Sequence, residues 1–176
     1  IGSGSFSGVL QGIEWAADDA FARGQRAVIS MSLGGGGSNR YDEVIEYAYN
    51  KNVLTVVAAG NSNANACNFS PASTALALTI GSTTRSDQRS SFSNYGPCVD
   101  LFAPGSSITS TWSNSDSSTN TISGTSMACP HAAGVASQIF ALDPSLTPGE
   151  VAEAVICLAT RDIVTSIPVT PPTPNL

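Results

Sequence analysis

Residues 124–131, Gly-Thr-Ser-Met-Ala-Cys-Pro-His, place a small serine just before an apolar, alanine-rich stretch. Gly124 and Thr125 allow a tight turn, and Ser126 is predicted in the first turn of the helix that follows. Unpaired backbone N–H groups and partial positive charge at a helix N-terminus stabilise a developing oxyanion. The pattern favours acyl transfer with Ser126 as the nucleophile, although a serine at such a place is as often only a helix N-cap.

Asn61 is the second polar residue in a position that suits chemistry. It follows a β-branched, apolar run at 53–59 that is typical of a buried strand, and Gly60 breaks that run. Asn61 is therefore a side-chain hydrogen-bond donor at the C-terminal end of a strand. The competing interpretation is an asparagine that is favoured only because it tolerates a turn conformation.

A third apolar run, at 28–33, ends in consecutive glycines at 34–37, which leave the backbone edges bare. A strand followed by glycines and a helix also suggests a phosphate-binding loop. The chain has neither G-x-G-x-x-G with an acidic residue after the next strand nor G-x-x-x-x-G-K-[ST]. Nucleotide binding is therefore disfavoured.

Together these segments resemble the subtilisin-like serine proteases. Residues 66–72 and 94–102 resemble in particular the aqualysin-type members of the proteinase K branch, which are secreted. By this resemblance Ser126 is the nucleophile and Asn61 the side-chain donor of the oxyanion hole. The resemblance implies that residues 1–176 are the C-terminal portion of one peptidase domain, with a Pro-rich terminal tail at 168–176.

The same resemblance implies a substrate groove, in which an extended peptide pairs with two backbone edges. The residues assigned to its walls are Gly2, Ser3 and Gly4 on one side, and Ser32, Leu33, Gly34, Ala58, Ala59 and Gly60 on the other. These residues are mostly small and none is acidic. We therefore expect a broad preference for apolar and aromatic side chains before the cleaved bond.

The base and the orienting acid of a catalytic triad are missing from the recognised motifs. In this family both precede the serine, and no aspartate before Ser126 lies in a matching motif. The one histidine, His131, lies about 140° around the helix from Ser126 at ~100° per residue, and is interpreted as a satisfied core residue. We expect the C-terminal part of an endopeptidase, inactive and poorly folded by itself; the alternative is a non-catalytic peptide-binding remnant.

Four cysteines allow three pairings, and the sequence alone does not choose among them. The family resemblance implies a bridge between Cys67 and Cys98, and hence an oxidising compartment. Cys129 is predicted to be a small buried filler. Cys157 is either free or paired with a segment outside these residues.

A structural calcium ion is implied by resemblance alone, with the Asp100 carboxylate and the backbone carbonyls of Ala75 and Ala77 as ligands. Oxygen-only ligation suits calcium. Asp100 is equally well explained as an ordinary loop carboxylate. The chemistry itself requires no cofactor.

Composition limits the partners of the chain. Seven basic against thirteen acidic residues give a net charge of −6, which disfavours nucleic acid. No apolar run reaches ~18 residues, so no membrane span is expected. We expect a secreted, extracellular monomer that acts on proteins and peptides, possibly completed by a missing N-terminal part of the same domain.

The elements that must position these residues alternate along the chain. Strands are predicted at 27–33, 53–59 and, shorter, at 76–82. Helices are predicted from Tyr41 and over 148–159, and a first helix, capped near Ser7, is predicted to stop before Gly24. The apolar face predicted for this first helix consists of Val9, Leu10, Ile13, Ala17 and Phe21. This alternation implies an α/β fold whose parallel sheet is covered by helices on both faces, incomplete here, with active residues at the carboxyl ends of strands. Residues 82–96 and 105–121 are predicted as surface loops and short hairpins.

Overall fold

The structure, a computed structural model, describes residues 4–36 and 40–176. Its helices are α1 (Phe6–Ala22), α2 (Arg40–Asn50), α3 (Thr125–Leu142) and α4 (Pro148–Leu158). Its strands are β1 (Ala27–Met31), β2 (Gly35–Gly36), β3 (Val53–Ala58), β4 (Phe69–Ser70), β5 (Ala77–Thr83), β6 (Leu101–Pro104), β7 (Ile108–Thr111) and β8 (Thr119–Ile122).

A four-stranded parallel sheet in the order β1-β3-β5-β6 forms the centre of the fold. Strands β3 and β5 are buried at every position, as expected for the central strands of a parallel sheet. Alternate residues of β3 face opposite layers: Val53 and Val57 pack against α1 and α2, while Leu54 and Val56 pack against α3 and α4. The predicted α/β class, with helices on both faces, is confirmed.

Helix α1 begins two residues earlier than predicted. Its N-cap is Ser5, whose hydroxyl accepts a hydrogen bond from the Gly8 N–H at 3.2 Å, and Ser7 lies inside the helix. Ile13 and Ala17 are buried as expected, but Phe21 is 59% exposed. Phe21 departs from the predicted apolar face because its ring lies beneath the Lys51 ammonium instead, 4.8 Å from it.

Several boundaries also differ from the sequence-based expectation. β1 ends at Met31, two residues before its predicted end, and the four-residue β6 was not predicted. β5 spans Ala77–Thr83, one residue later than predicted, and it is longer than β1 and β3 although a shorter strand was expected. The segment 82–96 is not a surface loop, because Ser90, Ser93 and Asn94 are buried in it. Strands β7 and β8 do form a hairpin in the predicted segment 105–121, and it extends one residue beyond that segment, to Ile122.

The terminal tail at 168–176 is bonded to the rest of the structure. The Phe102 N–H donates to the Leu176 carbonyl oxygen at 2.8 Å. The Asn175 amide exchanges two hydrogen bonds with the backbone of Val164, both of 2.9 Å. Among the helices of the described ranges, none combines the length and the apolar character that crossing a bilayer requires.

Candidate active site

Ser126 is the second residue of α3, and Gly124 is the N-cap. The N-cap alternative for Ser126 is therefore wrong. No side chain caps this helix, and the Gly124 carbonyl accepts the Met127 N–H at 3.0 Å. Within residues 4–36 and 40–176, neither the backbone N–H nor the hydroxyl of Ser126 has a hydrogen-bond partner. Both groups are therefore available to a ligand.

Thr125 fixes the orientation of the Asn61 side chain. Its backbone N–H and its hydroxyl both donate to the Asn61 amide oxygen, at 2.8 and 3.0 Å. An N–H donor requires an oxygen acceptor, so the assignment of the two amide atoms follows from the chemistry. The Asn61 amide nitrogen is thereby left as a free donor in the described part of the chain.

The same threonine joins the end of β3 to the start of α3. Thr125 is fully buried, and its hydroxyl accepts the Gly60 N–H at 3.2 Å. The strand that ends before Asn61 and the helix that carries Ser126 are thus bonded through one side chain. Such a link fixes the relative position of a helix N-terminus and a side-chain donor, which is what an oxyanion hole requires.

One cavity of about 490 Å³ lies beside these groups. Its lining includes Asn61 and Ser126, six of the predicted wall residues, and six residues that were not predicted for the walls. The predicted ones are Ser32, Leu33, Gly34, Ala58, Ala59 and Gly60; the others are Gly35, Ser62, Phe69, Ser70, Ala72 and Thr125. None of these side chains is acidic.

The wall segment after β1 is fastened at both of its ends. The Ser32 hydroxyl donates to the Ser126 carbonyl oxygen at 2.8 Å. Strand β2 pairs in antiparallel fashion with β4, which brings Phe69 and Ser70 to the cavity. This non-local pairing has no sequence signal, which is why those residues were missed. Gly4 is exposed and is not among the lining residues, while Gly2 and Ser3 lie outside the described residues.

Comparison with known proteins now decides the family. The Subtilase family model matches residues 2–167. The chain belongs to the subtilase family. It is 51% identical over 163 residues to an extracellular serine proteinase of Thermus sp. (strain Rt41A), covering 93% of this chain and 39% of that protein. It is 47% identical over 167 residues to alkaline protease 1 of Aspergillus clavatus, covering 94% of this chain and 41% of that protein.

Solved subtilase structures share the fold. A cold-adapted subtilisin-like serine proteinase superimposes with a TM-score of 0.90 at 48% identity, covering 99% of this chain and 61% of that one. The chain spans about two fifths of the length of the curated relatives it matches. The family recognised in the sequence is confirmed. The Thermus relative and the cold-adapted neighbour are both named as serine proteinases.

His131 takes no part in this subtilase site. Its Nδ1 lies 2.7 Å from the Met127 carbonyl oxygen, one helical turn back, so one ring nitrogen is satisfied as expected. Its side chain is exposed, however, and the interpretation as a core residue is wrong. Helical periodicity gave the angle away from Ser126 correctly, but it does not indicate which side of α3 is covered.

The cysteines divide as the resemblance implies. Cys67 and Cys98 form a disulfide, while Cys129 and Cys157 are free, the first buried and the second exposed. The Cys129 thiol lies one turn below Ser126 and donates to the Val56 carbonyl at 3.3 Å. Burial raises its pKa, so Cys129 is a neutral packing group and does not compete with Ser126 as a nucleophile.

Asp100 is half-buried, and its Oδ2 accepts the Thr79 N–H at 2.7 Å. Burial raises the pKa of this carboxyl, and the hydrogen bond from Thr79 opposes that rise. Nowhere in the described ranges do three or more His, Cys, Asp or Glu side chains cluster as metal ligands. A cation here would therefore depend on backbone carbonyls in addition to Asp100.

Proposed function

We propose that this chain carries the nucleophile and the oxyanion hole of a secreted serine endopeptidase. Ser126 Oγ attacks the scissile carbonyl and forms an acyl-enzyme, which water then hydrolyses. A histidine outside these residues takes the hydroxyl proton and passes it to the leaving amine. An aspartate, also outside them, orients that histidine.

The observation that carries this proposal is the pair of hydrogen bonds that Thr125 donates to the Asn61 amide oxygen. It leaves the amide nitrogen free in the lining of the cavity that also contains Ser126. The unpartnered Ser126 N–H is the second donor. Two donors that are fixed before the reaction stabilise developing negative charge without reorganisation, which is a large term in acyl transfer.

Substrate selection is proposed to rest on the cavity walls. Ala58, Ala59 and Gly60 leave room for a large side chain, and none of the described lining residues is acidic and able to attract Lys or Arg. We expect broad cleavage after apolar and aromatic residues. Profiling of cleavage sites in a peptide library checks this, and a strict basic preference would contradict it.

Secretion is supported by two observations. The chain contains a disulfide, which persists in oxidising compartments. The Thermus relative is named as extracellular. Culture fractionation with an antibody against the chain tests this, and an exclusively cytosolic protein would contradict it.

Labelling of the full-length protein with a fluorophosphonate tests the nucleophile. We expect the label on Ser126, located by mass spectrometry, and no label on the Ser126→Ala variant. Ser137 lies exposed on the same helix and provides the matched control, so Ser137→Ala is expected to label normally. A label on any other serine would contradict the assignment.

A peptide-binding remnant of the fold is the second candidate. It is favoured by the orientation of His131, which leaves Ser126 without a base in the described part of the chain. This candidate predicts that a peptide aldehyde or a product peptide binds in the cavity while fluorophosphonate labels nothing in the full-length protein. Labelling at Ser126 dismisses it.

A structural calcium ion at Asp100 is the remaining proposal. The residues fit such an ion, because the half-buried carboxylate retains one oxygen without a described partner and would be relieved of an unfavourable charge. Asp100 would hold it with the carbonyls of Ala75 and Ala77. Calcium is then expected to raise the melting temperature of wild type but not of Asp100→Asn.

The sign of the Asp100 effect follows from its raised pKa. Stability from the protonated carboxyl is present below its ordinary pKa and is lost as pH rises through the folded-state value. At neutral pH without calcium, Asp100→Asn is therefore expected to be at least as stable as wild type. Equal calcium responses of the two proteins would dismiss the site.

A further inference from the structure

Asn94 is a fully buried asparagine that the proposed chemistry does not use. Its amide oxygen accepts hydrogen bonds from the backbone N–H groups of Ser62 and Ala64, at 3.0 and 3.1 Å. Both donors lie just after Asn61 in the chain. Asn94 therefore holds the backbone on the C-terminal side of the proposed oxyanion donor.

The same residue also holds the backbone on the other side. The Asn94 amide nitrogen donates to the Ala59 carbonyl oxygen at 2.8 Å, and its backbone N–H donates to the Gly60 carbonyl at 2.9 Å. Gly60 has a φ of +101°, a conformation that favours glycine. A Cβ at Gly60 would clash with the Asn94 amide nitrogen, so Asn94 occupies the space that a side chain at Gly60 would need.

We infer that Asn94 is a positioning residue for the reaction: it shapes the loop 59–64 so that the Asn61 amide nitrogen points at the oxyanion. The inference rests on the proposed function. Thr125 fixes only the oxygen end of the Asn61 amide, so the direction of the nitrogen depends on where the backbone of the loop lies. A displacement of 1 Å in such a group costs on the order of 10²-fold in rate.

Asn94 is suited to this task because its own position is supported by the sheet. The Ser93 hydroxyl accepts the N–H of Ser82, which lies in β5, at 2.9 Å. The Arg89 guanidinium donates to the carbonyl oxygens of Ser90 and Ser93. Side chains that hold a catalytic group must themselves be held by rigid elements, and this segment meets that condition.

Substitution of Asn94 by Asp removes the hydrogen bond that the side chain donates and keeps those that it accepts. The shape of the side chain and the acceptor for Ser62 and Ala64 are kept. The amide nitrogen is replaced by an oxygen that faces the Ala59 carbonyl, so an attraction becomes a repulsion between two acceptors. The loop carrying Asn61 is expected to shift while the cavity walls after β1 stay in place.

The test is a double-mutant cycle of Asn94→Asp with Asn61→Leu in the full-length protein, measured with a peptide substrate. Asn94→Asp is expected to lower kcat by about tenfold or more with little change in KM. In the Asn61→Leu background, the same substitution is expected to lower kcat no further, because its effect passes through Asn61.

Asn175→Asp is the matched control. Asn175 also donates and accepts through its amide, to Val164, but far along the chain in the tail. It is expected to lower the melting temperature and to leave kcat unchanged. If Asn94→Asp does not fold, Asn94→Ser, which retains a small acceptor, takes its place in the cycle.

Equal losses of kcat in both backgrounds, or an unchanged kcat for a folded Asn94 variant, would overturn the inference alone. An unchanged kcat for Asn61→Leu would overturn the oxyanion assignment and the inference with it. The two failures are therefore distinguishable.

Discussion

Two regions of the molecule differ in how far contacts within the chain hold their backbone in place. The oxyanion corner, formed by residues 59–67, 90–98 and 124–127, is closed by hydrogen bonds through Thr125 and Asn94 and by the Cys67–Cys98 disulfide. The β1 edge, formed by α1 and β1, has a strand neighbour on one side only within the described residues.

The two regions also differ in the solvent exposure of their strands and helices. Strand β3 is buried throughout, whereas β1 has an exposed Ser30 and three half-buried residues before it. Trp15 on α1 is 69% exposed. A parallel strand with a bare edge and partly covered faces is typical of a surface that pairs with a further segment.

The two regions have different tasks in the proposed enzyme. The groups that stabilise the oxyanion are positioned by contacts within this chain. The base is expected from a segment that covers the β1 edge. Ser32 follows β1 directly and bonds to the Ser126 carbonyl, so a strand added parallel to β1 would end near Ser126.

The largest expected effect is the loss of kcat on substitution of Asn61, in the oxyanion corner. In the full-length protein, Asn61→Leu should lower kcat by about 10² to 10³ with little change in KM, which is the magnitude that removal of one oxyanion-hole donor has in subtilisin. The reason is the loss of a donor that strengthens only as the oxyanion forms. Asn114→Leu, exposed in the distant hairpin, is the control; equal kinetics of the two variants would remove Asn61 from the oxyanion hole.

The next effect concerns the stability of the same corner. Replacing both Cys67 and Cys98 by Ser should lower the free energy of unfolding by on the order of 3 to 4 kcal/mol, because the bond closes a loop of 31 residues in the unfolded chain. Urea unfolding measures it. Cys157→Ser removes an exposed free thiol and should change little; a comparable loss in both variants would contradict the role of the bridge.

The smallest effect concerns Lys51, which follows α2 and binds through its side chain to Asp18 of α1, next to the β1 edge. Its ammonium lies 2.8 Å from the Asp18 carboxylate and over the rings of Phe21 and Tyr47. The bonds to Asp18 first, and then to Tyr47, raise the pKa of Lys51 above its ordinary 10.5. Lys51 is half-buried, but Asp18, Phe21 and Tyr47 are exposed. Because ion pairs with solvent-exposed partners contribute little, Lys51→Met should lower the melting temperature only slightly.

The pH dependence of that small effect has a definite sign. A raised lysine pKa contributes stability that is present below 10.5 and is lost as pH rises through the higher folded-state value. The difference in melting temperature between wild type and Lys51→Met should therefore shrink in strongly alkaline solution. A difference that persists there unchanged would assign the effect to packing of the lysine stem instead.

Local patterns were sufficient to predict where Ser126 and Asn61 lie relative to a helix and a strand. The octet around Ser126 and the apolar run before Asn61 depend on neighbours in the chain, and both residues lie at the predicted ends of α3 and β3. What the sequence did not indicate depends on distant partners. Asn94, in an Asn-Tyr-Gly stretch that is typical of a turn, is buried because loop 59–64 folds over it.

The same reasoning explains the smaller errors. Ser5 and Ser7 are equally suited to cap a helix, and the choice between them depends on the backbone before α1. Strand β6 is four residues long, and its pairing with β5 rather than its own pattern defines it. Whether His131 is buried or exposed depends on what covers α3, which the periodicity of the helix does not encode. In the structure it is exposed.

The most direct test of the account is a burst assay with a chromogenic peptide ester, on the purified chain alone and after addition of the segment that precedes it in the full-length protein. We expect no burst from the chain alone and a Ser126-dependent burst once the segment is added, because the base is proposed to lie in that segment. A Ser126-dependent burst from the isolated, cooperatively folding chain would contradict it, since the base would then have to lie within these 176 residues.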